Sequence, residues 1–455
     1  MKFLSWIVLA LSLAGAVGAV ELPVSAPAVS IEPNIYIFHD ASGEMPIEAV
    51  LNLDEVDFEL NTGQTINRGI VDGVYWLRFR LSHTHPKSIT RYLELKNTFI
   101  PNIQFFAPDG GQYSKIDLAE VPFFDRPVVH RYPTFPMVIE PDTEQTYYVR
   151  MEIRGTFSAP LTIWNPNDFR ENMFFNLLGL GLLFGGLVAM AVYHGFMVIA
   201  MKDTLYLFYV AFLVFAILFE LHIKGLAHYF LWSAHPYLYF PMATLALGGM
   251  VGFNVLFARS FMESKVHIPK LDKGLVALAI AAFTLGLLGF TYRLEVNYLS
   301  YFLGICWSVY LFFTVTYAWL GARLKRARFL AFAWAAMLSG SLGVSIVNTL
   351  GLETAIVITF IGETGLVFSV IMFGIALADR THLKAEFAKE KLQEEVNALE
   401  GLLSICSSCK KIQNEDGGWS RMESYVRERA DVEFTHSYCP PCVEKHADYF
   451  ELRGE

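Results

Sequence analysis

A multidomain membrane protein is the fold class that the sequence predicts: an all-β, jelly-roll-like sandwich, a seven-helix transmembrane bundle, then a cytoplasmic helix and a small treble-clef-like cysteine module. Three observations predict it. Of the 455 residues 54% are apolar, 38 are Phe and only 17% are charged, too oily a composition for a soluble chain of this length. The oil is unevenly spread: residues 20–168 alternate apolar and polar positions, whereas the stretch from Asn165-Pro166 to about Ala378 is apolar almost throughout. Finally, all five cysteines lie at or after position 306, four of them in two Cys-x-x-Cys pairs near the end.

At the N-terminus Lys2 precedes an apolar run from Phe3 to Val17, and Val17-Gly18-Ala19 forms a small-residue site of the A-x-A type. The run is shorter than the ~20 residues a spanning helix needs, so residues 1–19 read as a signal peptide cleaved after Ala19, with a retained anchor as the alternative. Either way the next domain is delivered outside, and the absence of cysteine before position 306 denies it a disulfide.

Residues 20–168 hold period-two runs such as Asn34-Ile35-Tyr36-Ile37-Phe38, Val74 to Leu81, Tyr92 to Leu95 and Thr146 to Ile153, separated by Pro108-Asp109-Gly110-Gly111 and Glu140-Pro141-Asp142. Runs of that length between turn signals predict a periplasmic β-sandwich with one buried face per sheet. Tyr75 and Trp76 are adjacent and so should point to opposite faces. Either ring could stack on a sugar, or one could fill the core while the other lies on a partly covered face.

Seven spans follow, at 174–200, 204–222, 237–258, 274–292, 297–320, 328–350 and 354–378, within a bundle of residues 172–379. An odd number of crossings after an exported domain places the C-terminus in the cytoplasm. Loop charges test this separately: nine Lys and Arg fall in loops assigned inside (Lys202, Arg259, Lys265, Lys270, Lys273, Arg323, Lys325, Arg326, Arg328) and two outside (Lys224, Arg293), in agreement with the positive-inside rule. The last span contains no lysine for a retinal Schiff base. Ionisable residues near the spans are few: His194, Glu220, His222 and Glu363. A carboxylate within a span is a functional suspect by default, which makes Glu363 the candidate intramembrane switch, although a carboxyl hydrogen-bonded to a neighbouring helix as packing glue is the competing role.

Leu178 to Gly186, Ala191-Val192-Tyr193-His194 and Asp203 to Tyr209, with Ile361-Gly362-Glu363-Thr364-Gly365 and Ala376-Leu377-Ala378-Asp379-Arg380, resemble the opening and close of bacterial seven-transmembrane receptors with diverse intracellular signalling modules. Val74 to Arg80, Phe124-Asp125-Arg126-Pro127 and Ala159 to Trp164 resemble the β-sandwich sensor of that family. The resemblance covers residues 30 to 385 and implies sensing of a carbohydrate-like ligand outside and signalling inside. The usual catalytic outputs of such receptors have no counterpart here: 76 residues follow Asp379, without an ATP lid or a GGDEF-type run, and His382 lacks a nucleotide-binding domain. The expectation is a receptor that is not an enzyme.

From Arg380 to Leu403, Leu392, Val396, Leu399 and Leu403 recur at helical spacing with Ala385 and Ala388, so residues 380–402 form a signalling helix, either a short dimeric coiled coil or a helix packed on the cysteine module. In residues 403–455, Cys406-Ser407-Ser408-Cys409 and Cys439-Pro440-Pro441-Cys442 are separated by 29 residues. Two such pairs can complete a closed tetrahedral zinc site of four thiolates, and so small a module gains its stability from the metal. Haem attachment would need His after the second cysteine, where Lys410 and Val443 stand; a thiol switch and an iron–sulfur cluster stay open. His436 and His446 read as surface residues. The segment after Asp379 carries 11 basic and 15 acidic residues, which disfavours nucleic acid and favours a separate cytoplasmic signalling protein as partner. The stretch from Leu403 to Ile412, with Gly418-Trp419, Glu433-Phe434-Thr435-His436 and the second cysteine pair, resembles a short cysteine-rich segment behind coiled coils in other bacterial signalling proteins, which implies a regulatory attachment. The rivals to a receptor are a transporter or channel with a periplasmic sensor cap, and a membrane scaffold without a ligand switch.

Overall fold

The computed structural model describes residues 18–445, leaving aside 62–65, 99, 101, 120, 234, 236–237, 292–293, 351–354 and 401–402. The expected signal peptide lies almost wholly outside the described residues, as does His446. The chain divides into two compact units at Leu377/Ala378.

The first unit opens with β1 (Val20–Glu21), β2 (Ala28–Ser30), β3 (Tyr36–Asp40), α1 (Ile47–Val50), β4 (Glu59–Leu60), β5 (Asn67–Ser82), β6 (Ile89–Leu95), β7 (Asn102–Asp109), β8 (Gln112–Asp117), β9 (Thr134–Ile139), β10 (Gln145–Ser158) and β11 (Leu161–Trp164). They form a seven-stranded sheet in the order β4-β3-β5-β10-β7-β8, with β1 added beside β5, and a four-stranded sheet β2-β11-β6-β9. The long antiparallel pair β5–β10 sets the register, with Leu77 opposite Val149 and Phe79 opposite Tyr147. Alternation then sends Leu77, Phe79 and Leu81 into the core between the sheets, where they meet Leu93, Phe135 and Ile163 of the smaller sheet.

The opposite face of the large sheet is not bare. Tyr36, Trp76, Phe106 and Tyr148 form a second apolar cluster with Val50 and Phe58 from the segment that crosses over them. Tyr75 and Trp76 do diverge, but neither is a free platform: Trp76 is fully buried and Tyr75 stacks on His39 with ring centres 4.7 Å apart. The Asp109-Gly110-Gly111 turn of the β7–β8 hairpin uses φ values of +57° and +90° at its glycines, which is why glycine occurs there.

A single residue, Asn165, joins β11 to the first long helix. Its side chain accepts the N–H of Asn167, and Pro166 takes the first helical position. The helices beyond it are α2 (Pro166–Met201), α3 (Thr204–Ile223), α4 (Leu226–Phe230), α5 (Tyr239–Met262), α6 (Ser264–His267), α7 (Pro269–Leu288), α8 (Leu294–Leu320), α9 (Arg328–Leu350) and α10 (Ala355–Glu400). Seven of these are long and apolar, and among the described residues six are long and apolar enough to cross a membrane. α5 is the most enclosed of the six. Its glycines permit this: a Cβ on Gly248 would lie 2.5 Å from the Ala282 carbonyl oxygen and 2.8 Å from Gly286 Cα, so α5 and α7 touch backbone to backbone.

Two features depart from the expected spans. α2 begins at Pro166, ahead of the apolar run that starts near 174, and α10 continues to Glu400, past the expected boundary at 379. At one end of the bundle Arg259 forms a two-pronged ion pair with Asp272, at 2.7 and 3.0 Å, and Ser264 Oγ donates to the same carboxylate at 2.6 Å. Basic loop residues assigned to the cytoplasmic side thus have structural partners here, Arg326 being paired with Glu263 at 2.9 Å.

Within the second unit, the end of α10 is followed by a two-stranded hairpin, β12 (Ile412–Gln413) with β13 (Trp419–Ser420), then α11 (Met422–Arg429) and α12 (Pro440–Lys445). Gly417, at φ +84°, makes the hairpin turn.

Candidate functional site

The loop between β8 and β9 carries a 3-10 turn, Phe123–Asp125, and this turn meets the corner between α3 and α4. Phe123 packs edge-on against His228 and Tyr229, each at 5.3 Å between ring centres, and Phe124 meets Tyr229 at 5.2 Å. Arg126 Nη2 lies 3.4 Å from His228 Nε2. Arg131 Nη1 donates to the Lys224 carbonyl at 3.3 Å, and Thr98 Oγ1 donates to that of Ile223 at 3.3 Å. Those carbonyls belong to the C-terminal end of α3, where helix acceptors lack intrahelical partners. The sandwich therefore caps the helix.

Gly225 is what lets the two parts approach so closely. It adopts φ +73°, and a Cβ there would fall 2.7 Å from Thr98 Cγ2 and 2.8 Å from the Arg131 carbonyl oxygen. Burial, with the Arg126 guanidinium beside it, pushes the His228 imidazole down to about 4, and burial brings Arg126 itself down to about 10. The pair thus carries one positive charge at neutral pH, held on Arg126.

From the same corner Lys224 Nζ donates to Glu363 Oε1 on α10. Glu363 is the switch candidate that its sequence context singles out. Its partner has no such signal: in sequence Lys224 is only one of two outside loop charges. Glu220 lies within electrostatic reach of both Lys224 and Glu363. His222 is buried, receives the indole N–H of Trp232 at 3.0 Å, and its carbonyl accepts from the Tyr239 hydroxyl at 2.5 Å. His194 has a packing role, with Nδ1 2.9 Å from the Met190 carbonyl oxygen and its ring edge-on to Tyr209 at 4.7 Å.

Phe123, Arg131, Gly225 and His228 are not singled out by sequence reasoning, and Arg126 enters it only as part of the Phe124–Pro127 resemblance. A paired aromatic, Phe123-Phe124, followed by Asp125-Arg126-Pro127 in a loop too apolar for an exposed connection is the available signal.

The tail cysteines come together as two pairs. Around the first, the Cys406 N–H donates to the Lys411 carbonyl at 2.8 Å, the Lys410 N–H donates back to the Cys406 carbonyl at 3.0 Å, and Lys410 itself adopts φ +58°. This turn folds Cys409 back toward Cys406, whose thiol is lowered by the Cys409 and Ser408 backbone N–H groups and the Cys409 side chain. Cys439 and Cys442 sit at the start of α12, with the Cys442 N–H on the Cys439 carbonyl at 2.8 Å, and the Cys442 thiol and N–H lower Cys439. Among the described residues no cluster of three or more metal-ligating side chains forms. Each pair supplies half a tetrahedral thiolate set, and the structure does not bring the halves into one cluster.

A β-sandwich that caps the helix corner of an apolar bundle, and is tied through it to the last helix, is the architecture of a multi-pass membrane protein with a folded domain outside the bundle. The particular kind follows from family comparison: residues 176–380 match the model described as 7TM diverse intracellular signalling, and residues 32–165 match 7TMR-DISM extracellular 2. The chain belongs to this family of seven-transmembrane receptors with diverse intracellular signalling. No curated protein matches it. The residues after 380, including both cysteine pairs, lie beyond both matches.

Proposed function

We propose that the protein is a bacterial inner-membrane receptor that senses a periplasmic ligand, carbohydrate-like by family, and signals through a non-catalytic cytoplasmic tail to a separate partner protein. The observation that carries this reading is the continuous contact from the β8–β9 loop through Arg131 and Lys224 to Glu363 on α10, the helix that runs without a break to Glu400. A shift of the sandwich on the corner moves the Lys224 ammonium, and the ion pair passes that displacement to α10, so the corner acts as a two-position joint. Partial burial of the pair, with Lys224 13% and Glu363 21% exposed, protects it from screening.

Glu363→Gln tests this in the full chain in nanodiscs. With the charge removed, the ion pair is lost and α10 is released from the corner. The expected result is faster backbone hydrogen exchange over residues 364–378 with α3 unchanged. Unchanged exchange throughout, or loss of an ion flux that the unaltered protein supports in liposomes, would favour the transporter reading.

For the tail, Cys406, Cys409, Cys439 and Cys442 are proposed to hold a structural zinc ion, which would lock the β12–β13 hairpin against α12. The thiolate donors and the turn at each pair support this. Metal analysis of the purified full chain should find about one zinc per chain, lost in the Cys406→Ser/Cys439→Ser double variant. Metal-free protein whose thiols oxidise reversibly would make the tail a redox switch instead.

A further inference from the structure

The covered outer face of the large sheet holds an arrangement that neither the sandwich core nor the bundle corner uses. Arg78 and Trp76 lie two residues apart on β5, both on that face. Arg78 is directly opposite Tyr36 on β3 and Tyr148 on β10. Its guanidinium carbon sits 4.0 Å from the Phe58 ring centre and 4.9 Å from that of Tyr36, so the cation is clasped between two rings. Arg78 is 7% exposed and Trp76 fully buried, yet among the described residues Arg78 Nε and Nη2 and Trp76 Nε1 have no hydrogen-bond partner, the Tyr148 side chain being the one hydrogen-bonded to Arg78 on this face. Three buried nitrogens that can only donate are thus gathered on one face, and among the described residues no acceptor is bonded to them. Native proteins rarely leave such groups unpaired without a reason.

The nearest carboxylate is Glu55, which approaches Arg78 Nη2 only to 4.0 Å and Arg80 Nη2 to 3.5 Å. Glu55 belongs to a 3-10 turn, Glu55–Asp57. Its side chain is 52% exposed and the next residue, Val56, is 90% exposed, so although Asp54 and Asp57 cap the turn, the Glu55 carboxylate itself stays open to solvent beside the cluster. Trp76 and Phe106 lie 5.4 Å apart at their ring centres beneath it.

We propose that this face is the receptor's ligand site and that it takes a carboxylate carried on a six-membered ring. The ligand carboxylate displaces Glu55 and accepts from the Arg78 fork and the Trp76 indole, and its ring takes the place of the lifted Glu55–Asp57 turn over aromatics that the turn and its flanking residues otherwise keep buried. A planar guanidinium with two free N–H directions matches a carboxylate in two-pronged fashion, and a local carboxylate already fills the approach at less than bonding contact. The inference rests on the receptor reading above, since a scaffold would have no use for a ligand.

The test is calorimetric titration of the full chain in nanodiscs with galacturonate, benzoate and galactose at one ionic strength. Binding of galacturonate or benzoate, with galactose silent, is the expected result, and which acid binds separates a sugar acid from an aromatic one. Glu55→Ala removes the internal competitor and should tighten binding roughly two- to fivefold, the worth of an exposed ion pair. Arg78→Lys keeps the charge but loses the fork and should weaken binding about tenfold or more. The proposal is overturned if galactose binds as tightly as the acids, if neither acid binds the unaltered protein or the Glu55→Ala variant, or if Glu55→Ala leaves the affinity unchanged. Should neither acid bind while Glu363→Gln still releases α10, the receptor reading survives and only the site assignment fails. Binding of an acid with α10 unmoved in Glu363→Gln would instead keep the site and overturn the coupling through α10.

Discussion

Glu94→Ala is expected to destabilise the sandwich by about 3–5 kcal/mol, the cost of removing one member of a buried charged network. Glu94 is 2% exposed. One carboxylate oxygen receives the Trp164 indole N–H at 2.7 Å, and the other faces His130 Nε2 at 3.1 Å. Lys96 Nζ stands 3.8 Å away. With alanine the indole donor and His130 are left buried without their acceptor. Differential scanning calorimetry of the full chain should show the transition of the exported domain lowered by on the order of 10 °C, with Glu94→Gln losing less because an amide oxygen still accepts from Trp164. A loss under about 1 kcal/mol, no more than an ordinary surface change, would show that the network contributes little.

The pH dependence of this site has a definite sign. Burial alone would raise Glu94, but the His130 hydrogen bond, the Lys96 and His130 charges and the Trp164 hydrogen bond outweigh it and hold the carboxyl below its ordinary value of 4.5. A depressed carboxyl contributes stability that is fully present above its unfolded value and is lost as pH falls through the folded one. The contribution therefore persists from neutrality down to about pH 4.5 and declines only below it. Glu94→Ala should erase that acid-side decline.

Gly248→Val is the second large effect. Valine places its Cβ, and two methyls beyond it, where the Ala282 carbonyl oxygen and Gly286 Cα already stand. Backbone atoms cannot rotate out of the way, so α5 and α7 must separate. Because α5 is the most enclosed of the six long apolar helices found among the described residues, the separation is expected to spread to the bundle core around Phe257 and Phe373. A cost of about 3 kcal/mol, the upper part of the usual range for overpacking, is expected, seen as loss of monodisperse protein after detergent extraction and heating. Gly181→Val is the matched control: nothing lies within 4 Å of a Cβ at that position, and it should be neutral. Equal behaviour of the two variants would contradict the close α5–α7 contact.

What could be read from sequence was local in character. The strands of the sandwich announce themselves by alternation within a few residues, and the spans by sustained apolarity, since both patterns record which solvent each side chain meets. Glu363 stood out for a similar reason, a carboxylate being rare in such a stretch. Its partner Lys224 is 139 residues away, and no local pattern pairs them. The Arg131–Lys224 and Thr98–Ile223 contacts that seat the sandwich on the bundle are likewise long-range. The second cluster under Phe58 was also hidden, because alternation predicts one buried face per sheet and gives no sign that a crossing segment will bury the other. In the tail, the cysteine spacing declares each pair but does not decide whether the two pairs join, and among the described residues they form no common cluster. The boundary drawn at 379 marks where the sequence turns from apolar to charged; the backbone ignores it, since the Lys-, Glu- and Ala-rich residues beyond it are strong helix formers and α10 continues through them.

The one-residue passage from Trp164 through Asn165 into α2 matters to anyone who would rebuild the protein. A sensor tethered by a long flexible segment can be exchanged for another like a plug. Here the last strand hands its direction straight to the first crossing helix, and the β8–β9 loop fixes a second point of attachment at the α3–α4 corner. Two anchors define an axis, so a foreign sandwich grafted at Asn165 would inherit the stalk without the hinge. A working chimaera has to carry Phe123 to Arg131 across with the strands, or take the matching corner from the donor bundle.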